Sequence, residues 1–407
     1  MKKGLLSLSV AGLAVLSMVG CKATSTSSNA GSESTNTNIK VGLITLHDTN
    51  STYDKNFIDA FNAAAKKMGA TAVVRTGIAE GEAAYTAAAD LVDQGCKFVF
   101  ADSFGHEDYI IRAAKEFTNV QFSHATGTKA HTEKLSNFHN AFASIYEGRY
   151  LAGVAAGLKL QAMIAENPST SKNIGYVGAY PYAEVKSGYT SWYLGVKSVV
   201  SDVTMSVKFT NSWYDETGEK NAALALINAG CSIISQHADS WGAPTACEDK
   251  GVPNVTYNGS TESKCPNTYL ISSKVNWEPY FEYAIGQVQK GGSIDTDWTG
   301  TLASDFTSGS VALTDPGAKA AVSGTKAKLE EVATKLRNKT LRVFDCANFT
   351  VKGAHLTSYK ADVDTDDKYT PDTEVIKTEG GITYFAESEY RSAPYFDIDI
   401  DGITELK

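Results

Sequence analysis

The stretch VGLITL at residues 41–46, followed by NFIDAFNAAAKKM at 56–68 and AVVR at 72–75, decides the fold class. The two outer segments are short and apolar, which is typical of buried strands. The middle segment has one apolar helical face, made of Phe57, Phe61, Ala64, Ala65 and Met68. A strand, a helix and a second strand in this order predict a parallel sheet with crossover helices on its faces.

The same alternation continues along the chain in two runs, which separate near residues 143–173. We therefore predict an α/β fold with two lobes, each a parallel sheet with helices on both faces. The predicted boundaries are 39–143 for lobe 1, 144–272 for lobe 2, 273–340 for a return to lobe 1 and a crossover, and 341–407 for a C-terminal extension. The extension is rich in Thr, Asp, Tyr and Gly, and we expect short strands and loops that pack on the outside of the lobes.

The N-terminus has the layout of a secretory signal peptide. Lys2 and Lys3 precede a short, uncharged and mostly apolar run that leads to Cys21. The run is too short for a comfortable membrane-spanning helix, and the cysteine after it resembles the bacterial lipobox. We predict a signal peptide at 1–20, lipidation at Cys21 and a flexible polar tether at 21–38, so that the protein lies outside the cytoplasm and is lipid-anchored to the cell membrane. A plain signal peptide with an unmodified cysteine, or an uncleaved anchor, is the alternative.

Composition excludes one class of partner. Hydrophobic residues make up 43% of the chain and charged residues 20%, which is ordinary for a globular protein. The formal net charge is −9. Contacts with phosphates need a basic face, so no nucleic-acid partner is expected.

The cysteines do not form a metal-binding motif. The chain has six of them and no CxxC or CxxH spacing, so no structural zinc site is predicted. With Cys21 lipidated, the remaining five cannot all pair. Cys96 and Cys231 each precede a short apolar run and are expected to be buried thiols, whereas Cys247 and Cys265 are candidates for a surface disulfide.

Loops after the predicted strands carry the candidate binding residues, because ligands of open α/β sheets lie at the carboxyl ends of the strands. The residues selected in this way are Tyr53, Asp54, Asn56, Phe57, Ser103, Phe104, Gly105, His124, Trp213, Asp239 and Tyr257. Aromatic rings mixed with short hydrogen-bonding groups suit a flat polar ligand, with rings for its faces and polar groups for its edge.

Several of these residues also have a purely structural interpretation. Phe57 could be the first core residue of its helix, and Asn56 could be the N-cap of that helix. Asp239 could cap the following helix, and for Asp215 such a capping role is the favoured interpretation. His124, like the histidine at position 237, is interpreted as a structural hydrogen-bonding residue rather than a ligand contact.

Four motifs follow one another at the spacing of a known family. They are Asp54-Lys-Asn-Phe57, Glu147-Gly-Arg-Tyr-Leu-Ala-Gly153, Ile174-Gly-Tyr-Val-Gly178 and Ser212-Trp-Tyr-Asp215. Together they resemble the basic membrane protein (BMP) family of substrate-binding lipoproteins, over about residues 40 to 290 and more loosely to 340. Further segments resemble a subgroup associated with purine nucleobases: Ser103-Phe-Gly105, His124-Ala-Thr-Gly127, Asn211-Ser-Trp213, Gln236-His-Ala-Asp-Ser240 and Asn276-Trp277.

The resemblance implies a two-lobed type I periplasmic-binding fold that delivers its ligand to the permease of an ABC importer. It implies a purine base held between Phe57 and Trp213, with Asp239 on the ribose hydroxyls of a nucleoside and Trp277 as a further site residue. Ile58 stands where nucleoside binders of the family have Asn, so the base-edge contact expected there is lost or moved. No cofactor, metal or catalytic residue is expected, and the protein is expected to be a monomer.

Two other functional classes stay open at this point. A ligand-sensing surface lipoprotein, such as a receptor or adhesin, would use the same kind of pocket. A nucleoside-processing enzyme is disfavoured, because the sequence has no GxxxxGK[ST], GxSxG or DxDxxxxD motif.

Overall fold

The structure is a computed structural model and describes residues 38–407. The predicted signal peptide, the lipidation site Cys21 and the tether up to residue 37 lie outside the described residues.

The first run of the alternation forms strands and helices of the predicted types. Its elements are β1 (Lys40–Ile44), α1 (Thr52–Lys67), β2 (Thr71–Arg75), α2 (Glu82–Asp93), β3 (Cys96–Ala101), a 3₁₀ turn (Phe104–His106), α3 (Glu107–Glu116), β4 (Gln121–Ala125), α4 (Ala130–Glu133) and β5 (Phe138–Ala143). Helix α1 begins at Thr52 rather than at the predicted Asn56, because the Ser51 side chain accepts a hydrogen bond from the Asp54 backbone N–H and caps the helix. The interpretation of Asn56 as the N-cap is therefore wrong.

The second run follows the same pattern. Its elements are α5 (Ile145–Glu166), β6 (Asn173–Gly178), α6 (Ala183–Lys197), β7 (Thr204–Phe209), α7 (Glu216–Asn228), β8 (Ile234–His237), α8 (Gly242–Lys250), β9 (Asn254–Tyr257) and β10 (Tyr269–Val275). After it come α9 (Glu278–Gln289), β11 (Asp297–Gly300), β12 (Val311–Leu313) and α10 (Thr325–Arg337).

The strands form two large sheets, one for each lobe. The lobe 1 sheet has the order β11-β5-β4-β3-β1-β2, and all its strands are parallel. The lobe 2 sheet has the order β12-β10-β9-β8-β6-β7 and gains one strand from the C-terminal extension. The predicted α/β class is confirmed, with the difference that β12 pairs antiparallel with β10 at the edge of lobe 2.

The chain crosses between the two sheets three times. It leaves the lobe 1 sheet after β5, returns after β10 so that α9 packs against α1, and crosses again between β11 and β12. Asn56 lies at the second crossing, where its side-chain amide donates to the Val275 carbonyl over 2.5 Å.

Two glycines allow the closest helix contact in lobe 2. Helix α5 crosses α6 at Gly153 and Gly195, and a Cβ atom at either position would collide with a backbone carbonyl of the other helix. Gly153 belongs to one of the motifs that resemble the BMP family, so this motif has a packing role.

The C-terminal extension packs against both lobes. Its short strands are β13 (Lys360–Ala361), β14 (Thr373–Glu374), β15 (Ile376–Glu379), β16 (Ile382–Phe385) and β17 (Ile403–Glu405), and β17 pairs parallel with β7. On the lobe 1 side, the Ser392 backbone N–H donates to the buried Asp297 carboxylate over 3.0 Å. A buried stack of Phe344 on Phe396, with ring centroids 4.2 Å apart, forms part of the extension's own core.

The cysteines from 96 to 346 are free and buried. The predicted burial of the Cys96 and Cys231 thiols is confirmed, and burial raises the pKa of each to about 11. The suggested surface disulfide between Cys247 and Cys265 is wrong, because both side chains are fully buried and neither is bonded. Across residues 38–407, none of the helices has the length and apolarity needed to cross a membrane.

Candidate functional site

The carboxyl ends of the strands of both sheets face one pocket between the lobes. About 360 Å³ of space lies between the protein atoms that line it, including the part that is open to solvent. From lobe 1 its lining comprises Leu46, His47, Tyr53, Asp54, Ser103, Phe104 and Thr126, and from lobe 2 it comprises Glu184, Trp213, His237 and Asp239.

The lobes are in contact beside this pocket. The Asp239 carbonyl, which follows β8, accepts hydrogen bonds from the Thr52 backbone N–H over 3.0 Å and from the Thr52 hydroxyl over 3.3 Å. Thr52 is the first residue of α1. The structure therefore shows the lobes closed on each other, with the N-terminal end of α1 against the β8 loop.

Asp54 is held by its own loop. Its carboxylate accepts hydrogen bonds from the His47 backbone N–H over 2.6 Å and from the Ser51 hydroxyl over 2.5 Å, and the His47 ring lies 3.4 Å away. Burial opposes ionisation of this carboxyl, but the hydrogen bonds from His47 and Ser51 outweigh it and lower the pKa of Asp54. The main role of Asp54 in this structure is to fix the loop between β1 and α1.

Tyr53 is a lobe 1 ring that lines the pocket. Its hydroxyl donates to the Asp102 carbonyl over 2.8 Å, and its ring meets Phe57 edge-on with centroids 4.8 Å apart. Burial is the main cause that raises the pKa of Tyr53 well above its usual value, so the phenol stays neutral. Both ends of this side chain are therefore fixed by lobe 1.

Phe57 lies one helical turn deeper than Tyr53 and does not line the pocket. Four residues along α1 correspond to about 6 Å. Its ring is fully buried and stacks on Trp277 with centroids 4.4 Å apart, next to Phe100. The structure thus places both Phe57 and Trp277 in the core of lobe 1, as the structural interpretation of Phe57 expects.

Trp213 and Asp239 lie side by side on two lobe 2 loops. The Asp239 backbone N–H donates to the Trp213 carbonyl over 3.1 Å, which ties the loop after β8 to the loop after β7. Trp213 is half-buried, and Tyr180 meets its ring edge-on at 5.0 Å between centroids. Asp239 is 5% exposed, and its carboxylate makes no hydrogen bond within residues 38–407. Burial, followed by the charge of Asp54, raises the pKa of Asp239 well above its usual value.

A buried carboxylate lies behind both of these loops and accepts a hydrogen bond from each of them. Glu219 on α7 accepts hydrogen bonds from the Asp215 backbone N–H over 3.1 Å and from the Ser240 backbone N–H over 3.2 Å. Burial raises the pKa of Glu219 to about 7. Asp215 itself caps α7 through its carboxylate, which accepts from the Gly218 N–H over 2.9 Å, so its favoured structural interpretation is confirmed.

Thr126 is a lining residue in an unusual backbone conformation. Its φ angle is +61°, in the left-handed region that β-branched residues rarely occupy. Its hydroxyl is buried and has no hydrogen-bond partner within the described residues. Strained residues with unused polar groups cluster at binding sites, and Thr126 has both properties.

Glu184 and His237 form a pair on the lobe 2 side. The Glu184 carboxylate lies 3.3 Å from His237 Nε2, and both side chains are largely buried. Burial lowers the pKa of His237 although Glu184 opposes this effect. Glu184 follows β6 in the first turn of α6, where an acidic residue is ordinary, so no sequence pattern distinguishes it as a site residue.

Four predicted site residues lie outside the pocket lining and have structural partners instead. Buried His124 contacts the Ser103 carbonyl through Nε2 at 2.6 Å, and burial lowers its pKa to about 4. Tyr257 is buried under the Arg149 guanidinium, whose carbon lies 4.1 Å from the ring centre. The Gly105 backbone N–H donates to the Glu80 carboxylate. The Asn56 side chain donates to the Val275 carbonyl, where the chain crosses between the sheets after β10.

The structure therefore brings together one half of the predicted set. Those that line the pocket are Tyr53, Asp54, Ser103, Phe104, Trp213 and Asp239. The sequence did not select Leu46, His47, Thr126, Glu184 or His237, although all but Glu184 lie in or beside loops that the strand-end rule identified. No group of three His, Cys, Asp or Glu side chains that could hold a metal ion occurs in the part of the chain that the structure describes.

Comparisons with known proteins agree with this architecture. Residues 30–341 match the model of the Bmp family, described as ABC transporter substrate-binding protein PnrA-like. A protein of Brucella abortus named as purine-binding is 36% identical over 204 residues, which cover 50% of this chain and 55% of that protein. A Haloferax volcanii protein whose name assigns it provisionally to glucose binding in an ABC transporter is 34% identical over 203 residues, which cover 50% of this chain and 49% of that protein. The chain thus spans about half the length of these two relatives.

A solved structure shows the same fold. The solute-binding protein of an ABC transporter system from Conexibacter woesei superposes with a TM-score of 0.60 at 21% identity, over 75% of this chain and 98% of that one. The predicted type I periplasmic-binding architecture is confirmed by this likeness. Since the family model matches well over half of the residues, the chain belongs to the Bmp family of PnrA-like ABC transporter substrate-binding proteins.

Proposed function

We propose that this protein binds a purine base or nucleoside in the pocket between its lobes and delivers it to the permease of an ABC importer. One observation carries the proposal. Trp213 and Asp239 are hydrogen-bonded neighbours, so an aromatic face and an unpaired carboxylate reach the pocket from the same wall. A purine offers a flat ring for the first and N–H groups for the second.

The opposite wall adds aromatic contacts, with one change to the sequence prediction. Tyr53 and Phe104 are the lobe 1 rings that line the pocket. In this proposal they take the place that the family resemblance gave to Phe57, and Phe57 supports Tyr53 from behind.

The charges around the pocket favour an uncharged ligand that donates hydrogen bonds. Three carboxylates, of Asp54, Glu184 and Asp239, line it, and the described lining contains neither Lys nor Arg. A phosphate group would therefore meet no Lys or Arg side chain there, and burial lowers the pKa of His237. Bases and nucleosides fit this environment better than nucleotides.

A sugar is the second candidate ligand. The Haloferax relative's name supports it, and so does the pocket chemistry, because a sugar could stack on Trp213 and donate hydroxyls to Asp239. The ligand panel below therefore includes glucose.

The experiment is native mass spectrometry of the purified protein, followed by calorimetry with adenine, guanine, hypoxanthine, their nucleosides, inosine monophosphate and glucose. We expect micromolar or tighter binding of at least one base or nucleoside, and weaker binding of the monophosphate. Asp239→Asn should weaken binding about ten-fold or more, because the amide places N–H donors opposite the N–H donors of the ligand. Trp241→Ala, a half-buried tryptophan of the same lobe outside the pocket lining, is the control. Heat with glucose and none with any purine would reject the purine proposal.

The location and the partner of the protein are part of the same proposal. Cys21 would carry the lipid that holds the chain on the outer face of the cell membrane, as its sequence layout suggests. Cys21→Ser should then release the protein from the membrane fraction, whereas retention with an uncleaved N-terminus would contradict the anchor. Uptake of labelled purine by cells with and without the protein separates transport from the sensing alternative.

A further inference from the structure

Two exposed aromatic rings touch at the mouth of the pocket. Phe104 is 42% exposed and Tyr182 is 43% exposed, and their ring centroids lie 5.4 Å apart. Tyr369 is the third exposed large hydrophobic residue within the described part of the chain. Two of these three residues therefore meet at this one place.

The two rings come from different lobes. Phe104 follows β3 in the lobe 1 sheet, and Tyr182 follows β6 in the lobe 2 sheet and precedes α6. Their contact can therefore exist only while the lobes are together. Opening would expose more apolar surface on each ring, which is unfavourable in water.

The contact continues into the pocket. Tyr182 stacks on Tyr180 with centroids 5.1 Å apart and planes within 11°, and Tyr180 meets Trp213 edge-on at 5.0 Å. Phe104 and Trp213 both line the pocket, whereas Tyr182 does not. A line of aromatic rings thus runs from lobe 1 across the rim to the wall on which the ligand is proposed to stack.

We propose that Phe104 and Tyr182 form a latch between the lobes that slows ligand release. The inference rests on the proposed function, because release is measured on the ligand of that pocket. An aromatic pair of this kind should shift the equilibrium between closed and open lobes by roughly two- to ten-fold. The effect should appear mainly in the dissociation rate, as most changes in affinity do.

The test is stopped-flow measurement of dissociation for Tyr182→Ala, Phe104→Ala and the double variant. Tyr182→Ala is the decisive single change, because this side chain lies outside the pocket lining and its loss removes no direct ligand contact. We expect each single variant to release ligand roughly two- to ten-fold faster and the double variant to be no faster than the faster single one. Tyr369→Ala, which removes a more exposed ring from the extension, should leave the rate unchanged. An unchanged rate for Tyr182→Ala, or strictly additive effects in the double variant, would overturn the latch.

A measurement without ligand separates failure of the latch from failure of the proposed function. Spin labels at Asp108→Cys on lobe 1 and Glu216→Cys on lobe 2 report the distance between the lobes, and both sites are exposed. With these labels in place, the Phe104→Ala/Tyr182→Ala variant should have a smaller fraction of molecules with closed lobes than the protein that keeps both rings. Equal distance distributions would overturn the latch, whatever ligand the pocket takes. Absence of purine binding together with a reduced closed fraction would instead reject the purine proposal and keep the latch.

Discussion

The two walls of the pocket are built in different ways. In lobe 1, Tyr53 is backed by Phe57, which stacks on Trp277 in a fully buried aromatic core. In lobe 2, Trp213 lies on a loop, and its aromatic neighbours Tyr180 and Tyr182 are only partly buried or exposed. The Tyr53 ring thus continues the buried core of lobe 1, whereas the Trp213 ring is flanked by rings that are themselves partly exposed.

The polar groups differ in the same sense. On the lobe 1 wall, Asp54 is satisfied by His47 and Ser51, and the Ser103 hydroxyl donates to Glu80. On the lobe 2 wall, the Asp239 carboxylate has no hydrogen bond within residues 38–407. We therefore expect Asp54 and Ser103 to shape the pocket and Asp239 to offer the ligand a free polar contact, and each wall can be tested by itself.

The largest effect is expected for Phe57→Ala. Removing this buried ring leaves a cavity against Trp277 and Phe100, which should lower the free energy of unfolding by about 3–5 kcal/mol. Affinity in the protein that remains folded should change by less than about three-fold, because the ring does not reach the pocket. Urea unfolding and calorimetry on the same sample measure both quantities. A large loss of affinity with normal stability would show that Phe57 contacts the ligand after all.

The pH dependence tests the brace behind the lobe 2 wall. The pKa of Glu219 is about 7 in the folded protein and near 4.5 in an unfolded chain. The folded state therefore binds more protons between these values, so the contribution of Glu219 to stability is present at low pH and is lost as pH rises from about 4.5 to 7. The loss amounts to at most about 3 kcal/mol.

Glu219→Gln should remove this dependence. The difference in unfolding free energy between Glu219→Gln and the wild type should shift in favour of the variant as pH rises from 5 to 8. Glu216→Gln, an exposed change in the first turn of the same helix, is the control and should show no such trend. A pH-independent difference would mean that Glu219 is ionised throughout, and the lobe 2 loops would then be held by a permanent charge.

Trp213→Ala should produce the opposite pattern to Phe57→Ala. Stacking of a base on one aromatic ring contributes about 1–3 kcal/mol, so affinity should fall at least five-fold. Because the ring is half-buried on a loop, the melting temperature of the empty protein should stay nearly unchanged. Near-normal affinity together with a large drop in melting temperature would make Trp213 a packing residue and would remove the contrast between the walls.

Most of the fold could be predicted because the local spacing of apolar residues determines most of its strands and helices. In β7 and α7, for example, the apolar spacing, the Asp215 cap and the following Gly230 all act locally. Short edge strands such as β11 and β17 were not assigned to a sheet or a pairing partner from the sequence. They are defined by the neighbouring strand with which they pair, and that neighbour is far away in the chain.

The site was predictable at the level of loops and less so at the level of side chains. The strand-end rule identified the correct loops, but it could not tell which turn of α1 faces the pocket. Ser51 caps the helix earlier than expected, so Tyr53 lies at the pocket and Phe57 one turn deeper. Glu184 and the strained backbone of Thr126 depend on three-dimensional packing that leaves no pattern in the sequence.

The smallest effect is expected for Tyr53→Phe, which removes only the phenol oxygen from the lobe 1 wall. The phenol donates to the Asp102 carbonyl over 2.8 Å, so its removal should lower the free energy of unfolding by about 1 kcal/mol. The ring itself stays against Phe57, and affinity should therefore change by less than about three-fold.

Tyr214→Phe is the matched control, since Tyr214 is a half-buried tyrosine near the cleft that lies outside the pocket lining. This change should alter neither the free energy of unfolding nor the affinity by as much. If Tyr53→Phe instead weakened binding ten-fold or more with normal stability, the hydroxyl would be a ligand contact. Lobe 1 would then offer the ligand a polar contact in addition to its rings, and the contrast between the polar groups of the two walls would no longer hold.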